Sequence, residues 1–389
     1  MKILKLIFKN AFRHKLRSVL TAFGIAIAIL AFGLLRTVMD AYFIGVDSSS
    51  NSRLVTRNSV SLTISMPYAY KNKISAIAGV THVSVAQWFG GTYKDPKNFF
   101  AQFAIEPETF LELYPEYLLT EQEKENFIKE RNSCIVGATL AERYGWEVGD
   151  SFRLIGAIYP GNWDFVIRGI YRGAEKGTNL STMFFHYPYL DESLKAISPG
   201  RAGRVGAFYI GIENPENAAQ MIETIDAMFA NSPAETKTET EREFRMGFVS
   251  MVGTILTAVR IISIVVVAII LLVLANTMAM TARERISEYA VLKTLGFQAK
   301  HLLTLIFGES VFIAIFGGLI GLLIMFPVVR RFGVFLTQTL GNFFPIFEVS
   351  ATTLILAAIA SLTVGVLAAC FPAIRAIRMK ISDGLRTIG

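Results

Sequence analysis

The stretch IISIVVVAIILLVLANTMAMTARERISEYAVLKTLGF, residues 261–297, decides the fold. Residues 261–282 carry no charge and, at about 20 residues per crossing, are long enough to traverse a bilayer as one helix. The character then changes within a turn. Arg283, Glu284, Arg285, Glu288 and Lys293 are set among Ile286, Tyr289 and Leu292, and Gly296 stops the pattern. A span that emerges into a short charged helix with one apolar face is suited to lie in a groove on a cytoplasmic partner. There Arg283 and Arg285 offer ion pairs, while Ile286, Tyr289 and Leu292 supply burial.

Outward from this segment, residues 18–35, 310–329 and 349–374 are three further charge-free stretches of spanning length. With 52% apolar and 18% charged residues in 389, the chain is too apolar for an ordinary soluble enzyme. The layout is one span, a long segment of soluble composition, then three spans. The expected fold class is a membrane α-helical protein with four transmembrane helices and a large α+β extracytoplasmic domain inserted between helices 1 and 2. The first span reads as an uncleaved anchor, because it ends in Leu34-Leu35-Arg36 without a small-x-small cleavage site.

Charge fixes the orientation. Residues 1–17 hold six basic residues and no acid, and residues 281–303 and the tail after Ile374 hold four basic residues each. These segments are expected to be cytoplasmic. Residues 39–259 carry 20 basic and 26 acidic residues, so the net charge of +7 resides in the membrane flanks and the external domain is acidic. Nucleic-acid binding is excluded on that distribution.

The expected boundaries are 1–17, a cytoplasmic amphipathic elbow helix; 18–38, the first span; 39–243, the external domain; 244–282, a stalk and the second span; 283–303, a coupling helix; 304–329, the third span; 330–348, an external loop; 349–374, the fourth span; and 375–389, a cytoplasmic tail. Within the external domain, residues 60–65 alternate as a half-buried strand does, residues 67–77 and 107–113 read as helices, and residues 208–212 followed by 215–229 form a strand-to-helix unit. Two lobes are expected. Phe244, Phe248, Met251, Val252, Ile255 and Val259 recur every three or four residues, which predicts a rod continuous with the second span and extending it by roughly 25 Å at about 1.5 Å per residue.

Gly317 and Gly321 form a GxxxG pair, and Ser361, Gly365 and Ala369 form a small-residue stripe; both suit close helix packing, within one subunit or at a dimer seam. Glu309 is the one acid at its depth, placed either to pair with a basic neighbour or to reach the headgroups. No phosphate-binding loop is present, since Lys293-Thr294 lacks the preceding glycines, and neither H-E-x-x-H nor G-x-S-x-G occurs. Cys134 and Cys370 are far apart, and the four histidines are scattered. No catalytic, cofactor-binding or metal-ligating residue is assigned.

These motifs together resemble the permeases of the MacB/FtsX-like ABC transporter superfamily, the type VII or mechanotransmission class. Glu284-Arg285, Glu288, Leu292-Lys293 and Leu295-Gly296 fit its coupling helix; Gly308-Glu309 and the run from Gly317 to Gly321 fit its third span; Pro372-Ala373-Ile374-Arg375-Ala376 and Leu385-Arg386 fit its tail. Asn10 with Leu16-Arg17-Ser18 fits its start, and Val136 to Ala141 followed by Val148-Gly149-Asp150 is similar to its periplasmic domain. The resemblance implies that Arg283, Glu284, Arg285, Glu288, Leu292, Lys293 and Gly296 couple to a separate ATP-binding subunit, which carries ATP and Mg. It implies a second permease copy or related paralogue, paired through the first two spans, and a stalk of Phe244, Phe248, Val252 and Ile255 that works the periplasmic domain. ATP is expected to be hydrolysed by another chain, unlike MacB itself, whose ATPase domain is fused. The expected activity is export of a small molecule or peptide across a bacterial inner membrane, with a periplasmic adaptor protein. The alternatives are extraction of a lipoprotein or lipid in the manner of LolC and LolE, and FtsX-like signalling to a cell-wall hydrolase.

Overall fold

The computed structural model describes residues 8, 13–47, 49–175, 177–340 and 347–379. Most of the expected elbow helix and tail lie outside them. The chain begins with α1 (Lys15–Asp47), whose apolar span covers Lys15–Phe43. There follow β1 (Arg53–Asn58), β2 (Met66–Pro67), α2 (Tyr70–Ser75), β3 (Val80–Trp88), β4 (Gly91–Thr92), β5 (Ala101–Ile105), α3 (Pro107–Leu113), β6 (Tyr117–Leu118), α4 (Glu121–Lys129), β7 (Ser133–Gly137), α5 (Ala138–Tyr144), β8 (Ser151–Gly156), β9 (Gly161–Gly173), β10 (Thr182–His186), α6 (Tyr187–Ile197), β11 (Arg204–Val205), β12 (Ala207–Ile212), α7 (Ala218–Met228), β13 (Thr236–Thr240) and α8 (Glu241–Met251). The remaining elements are α9 (Gly253–Glu284), α10 (Ile286–Thr294), α11 (Ala299–Leu340) and α12 (Ala351–Arg378). The chain divides into a membrane unit of residues 1–40, 253–334 and 347–389, and an external unit of residues 41–252 and 335–346.

In the external unit, the main sheet runs in the order β13-β1-β12-β3-β5-β10-β7-β9-β8-β4, with β6 paired to β9, beside a two-stranded sheet of β11 and β2. Its β5–β10 and β7–β9 pairs are parallel and its other pairs antiparallel. The far edge is drawn back toward β5. The buried Gln102 amide accepts from the Gly91 N–H at 2.6 Å and donates to the Gly91 carbonyl at 2.9 Å, so a side chain imitates a strand partner for β4. Phe89, Phe165 and Phe185 pack in one core; Phe110, Tyr117, Tyr171 and Phe184 fill a second. Cys134 is fully buried in β7. Helix starts follow local chemistry: Thr120 with Glu123 and Thr240 with Glu243 form capping boxes, and Pro107 opens α3.

The strand expected over residues 60–65 does not form. Asn58 Oδ1 accepts from the Val60 N–H, and Ser61 Oγ accepts from the Thr63 N–H, so local side-chain bonds curl the backbone away from a ladder. Val60 is 81% exposed. The strand is instead β1, whose Arg53 and Arg57 pair with Glu241 and Glu239. The expected continuous stalk is also interrupted. Val252, at φ −99° and ψ 8°, separates α8 from α9, and Gly253 follows; valine and glycine are weaker helix formers than the residues around them.

In the membrane unit, α11 runs to Leu340, so the first part of the external loop expected at 330–348 is helical. Arg330 and Arg331 end the apolar run but not the helix, since arginine is a strong helix former. Residues 341–346 lie outside the described residues. A Cβ at Gly317 would stand 2.5 Å from the Ala22 carbonyl, and one at Gly321 would stand 2.6 Å from the Ala26 carbonyl. The GxxxG face thus packs on α1 of the same chain, and Gly365 brings α12 against Val311 and Ala314 of α11. At the outer ends, Asp40 accepts from Ser350 Oγ at 2.6 Å and Thr353 Oγ1 at 2.7 Å, which joins α1 to the start of α12.

Candidate functional site

Four helix ends meet at the end of the membrane unit that carries α10. Arg285, between α9 and α10, donates to Glu309 of α11 at 2.9 Å and to Glu288 at 3.0 Å, and lies over the Tyr289 ring. Its side chain is 9% exposed and that of Glu309 is 6% exposed. Arg17 of α1 grips Glu284 with two 2.8 Å bonds, and Arg13 pairs with Glu288. Burial pushes against ionisation of Glu288, but Arg13 and Arg285 hold its pKa below the ordinary carboxylate value. Burial of Arg285 is likewise outweighed, by Tyr289, Glu309 and Glu288, so its pKa is raised. Burial first pushes the Tyr289 hydroxyl up to about 12.

Lys293 closes the other side. Its ammonium donates to the carbonyls of Ala376, Ile377 and Met379 at 3.1, 2.9 and 2.8 Å, capping the C-terminal end of α12 with a cation. Gly296, at φ +87°, ends α10 in a Schellman turn: the Phe297 N–H reaches the Leu292 carbonyl and the Gly296 N–H reaches that of Lys293.

Most of the residues expected to face a partner therefore face the chain itself. Arg285 and Tyr289 are buried, Leu292 packs against the membrane-unit core, and Glu284, Glu288 and Lys293 are held by α1 and α12. The outward surface of the turn is a different set: Arg283, Val291, Leu295, Gly296 and Phe297, with Leu295 70% exposed. The roles of Arg13 and Arg17 were missed by sequence reasoning, which counted them only as topology signals. A signal was present, since Arg13 and Arg17 share the four-residue spacing of Glu284 and Glu288 and match them in antiparallel order.

A second site lies within the external unit. A groove of 670 Å³ is walled by the last turns of α1, by α8 and by the β3–β5–β10 face. Trp88, Phe103, Phe184 and Tyr209 line it from the sheet, Tyr42 from α1, and Phe244, Phe248 and Val252 from α8 and its end. Three of the expected stalk residues are thus groove lining, and Ile255 lies beyond the break, on α9. At one end Glu241 joins Arg53 at 2.7 Å and Arg245 at 2.7 Å, and Arg53 also pairs with Glu116 at 2.6 Å. Burial raises the Glu241 pKa, but the two guanidiniums outweigh it and the net shift is downward. Among the described residues no group of three histidine, cysteine or carboxylate side chains could hold a metal ion.

Residues 18–228, more than half of the chain, match the MacB-like periplasmic core domain family, and residues 260–381 match the FtsX-like permease C-terminal family. The chain is an ABC transporter permease of the MacB/FtsX-like family. This permease is 23% identical to an uncharacterized ABC transporter permease of Methanocaldococcus jannaschii, over 99% of this chain and 97% of that one. It also matches the extracellular domain of the noncanonic ABC-type transporter YknZ from Gram-positive bacteria, at 11% identity, TM-score 0.35, and 48% of this chain against 100% of that one. The periplasmic region of MacB from Actinobacillus actinomycetemcomitans matches at 9% identity, TM-score 0.38, and 53% against 95% coverage. With four apolar helices and both family matches, the permease is a multi-pass membrane protein whose α+β domain, between α1 and α9, is external.

Proposed function

We propose that the permease couples ATP hydrolysis on a separate subunit to work by its external domain, in the cytoplasmic membrane. The observation that carries this reading is the turn at α10. Its outer surface is apolar at Val291, Leu295 and Phe297, while its inner surface is tied by Arg285 to α11, by Glu284 and Glu288 to the α1 end, and by Lys293 to α12. A push on the exposed tip is delivered to all four spans at once, because ionic and hydrogen-bonded contacts at fixed geometry transmit displacement better than a loose loop does. Substitutions of Arg285 or Leu292 would act on this scaffold, and Leu295 and Phe297 would act on docking itself. The α9 span supports pairing with a second permease copy, since only 17% of its most apolar window is buried.

Export of a small molecule or peptide is the general reading of such a machine. A second reading, handling of an acylated or otherwise amphiphilic cargo, is favoured by the aromatic groove, whose size falls within the roughly 300–1,000 Å³ of small-molecule sites. The test of coupling is affinity purification in mild detergent, with and without Leu295→Asp and Phe297→Asp. The unmodified permease is expected to bring down an ATP-binding subunit, and the double variant to lose it while still inserting and folding. Retention of a fully stimulated ATPase by the double variant would refute docking through this tip.

A further inference from the structure

At the same end of the membrane unit, the charges separate into two classes. Glu284, Glu288 and Glu309 are engaged by Arg17, Arg13 and Arg285, and Lys293 is spent on backbone carbonyls. Arg283, Arg375 and Arg378 are different: all three are exposed, and none has a carboxylate partner among the described residues. They converge on one pocket of 570 Å³ between the last turn of α9, the face of α10 and the last turn of α12. The remaining walls are apolar. Phe371 and Ile374, at 63% and 50% exposure, lie on α12 within the pocket lining and run directly into Arg375 and Arg378.

We propose that this pocket binds one anionic phospholipid of the inner leaflet. Its phosphate meets the three guanidiniums, which present planar donor forks suited to phosphate oxygens, and its acyl chains lie along Phe371 and Ile374. The depth is right, because Arg283 sits in the last turn of one span and Arg375 and Arg378 sit in the last turn of another. Scattered arginines at span ends meet passing headgroups without preference. Three converging on one apolar pocket, with Glu284, Glu288 and Glu309 among the described residues already engaged by other arginines, favour an added negative charge in a low-dielectric setting. The pocket wall includes Ile286 and Tyr289 of α10. A bound lipid therefore braces the helix that carries the docking tip, and lipid headgroup charge becomes an input to coupling.

The test is native mass spectrometry of the full permease after equilibration with mixed phosphatidylglycerol and phosphatidylcholine. The unmodified chain is expected to retain phosphatidylglycerol with a preference of about tenfold or more. Replacement of Arg283, Arg375 and Arg378 by Gln should bring the preference to parity, and single replacements should give intermediate values. Arg330→Gln with Arg331→Gln removes exposed charge from the opposite end of α11 and should leave the preference intact. No headgroup preference in the unmodified chain, or an unchanged preference in the triple variant, would overturn the proposal. Displacement of the lipid by inorganic phosphate alone would assign the pocket to a soluble anion instead. A triple variant that keeps the lipid preference but loses the ATP-binding subunit would make the arginines a protein-docking surface, and the lipid site would fall.

Discussion

At the scale of single residues, the decisive feature of the membrane unit is an ion pair that the sequence shows only as two separate facts. Glu309 reads as a lone acid near the cytoplasmic end of the third span, paired with a basic neighbour or reaching the headgroups, and Arg285 as a charge offered to a partner; the structure joins them at 2.9 Å with both side chains under 10% exposed. Removing Arg285 strands Glu309 without solvent, whereas removing Glu309 leaves Arg285 paired with Glu288. Arg285→Met alone is expected to cost about 3–5 kcal/mol and Glu309→Leu less, and the double replacement should regain most of the Arg285→Met cost, because an apolar pair of similar volume avoids both desolvation penalties. Thermal unfolding of the four proteins in detergent gives the cycle. In the external unit, His186 donates to the Phe127 carbonyl, and burial lowers its pKa from 6.5. The unfolded chain therefore takes up a proton first as the pH falls past 6.5, and stability declines from there to the lower folded value. Glu241 adds a later loss. Its folded pKa lies below 4.5, so its contribution is complete above 4.5 and disappears as the pH falls through the folded value. On the acid side of neutrality, unfolding midpoints should fall in two stages. His186→Gln should remove only the first, each tenfold difference in proton affinity between folded and unfolded chains being worth about 1.4 kcal/mol.

Among elements, glycine spacing was readable and helix continuity was not. Gly317 and Gly321 are four apart in an apolar run, a pattern with few uses besides close packing, and both lie against α1 carbonyls. Gly317→Ala and Gly321→Ala are expected to lower the unfolding midpoint, by about 1–3 kcal/mol each, since the methyl must force two backbones apart. Gly247→Ala in α8 is the internal comparison: nothing lies within 4 Å of its Cβ, so it should stabilise by about 0.5–1 kcal/mol. If both kinds of substitution behave alike, the close-approach argument fails. The spans themselves were legible because about 20 apolar residues have no other stable setting. Their ends were not, as α11 shows by continuing past Arg330 and Arg331. The stalk failed for a different reason: the 3.6-residue pattern runs across Val252, but Phe248, Met251 and Ile255 on it are exposed while Val249 and Leu256 are buried, and periodicity does not register that the helix is interrupted between them. Strand β1 was hidden because its arginines are satisfied by acids about 60 to 190 residues away, a pairing that no local window contains.

At the scale of the whole permease, the groove and the docking tip are the two ends of one proposed device, and they should fail differently. An amphiphile lying in the groove would set its acyl part against Trp88, Phe103 and Phe248 and its polar end at the Arg53–Glu241–Arg245 cluster. Phe248 is 47% exposed on the groove wall, so Phe248→Asp should leave the fold intact while placing a charge where an acyl chain would lie. Losing one aromatic contact of about 1.5–3 kcal/mol weakens binding by roughly 10- to 100-fold. A dansyl-labelled fatty acid, read by energy transfer from Trp88 with Trp88→Phe as the blank, measures that loss directly. Leu295→Asp should leave this binding unchanged and abolish capture of the ATP-binding subunit. Equal affinity in the Phe248 variant would remove the amphiphile from the groove, and loss of dansyl binding in the Leu295 variant would show that the two ends are not separable parts of one machine.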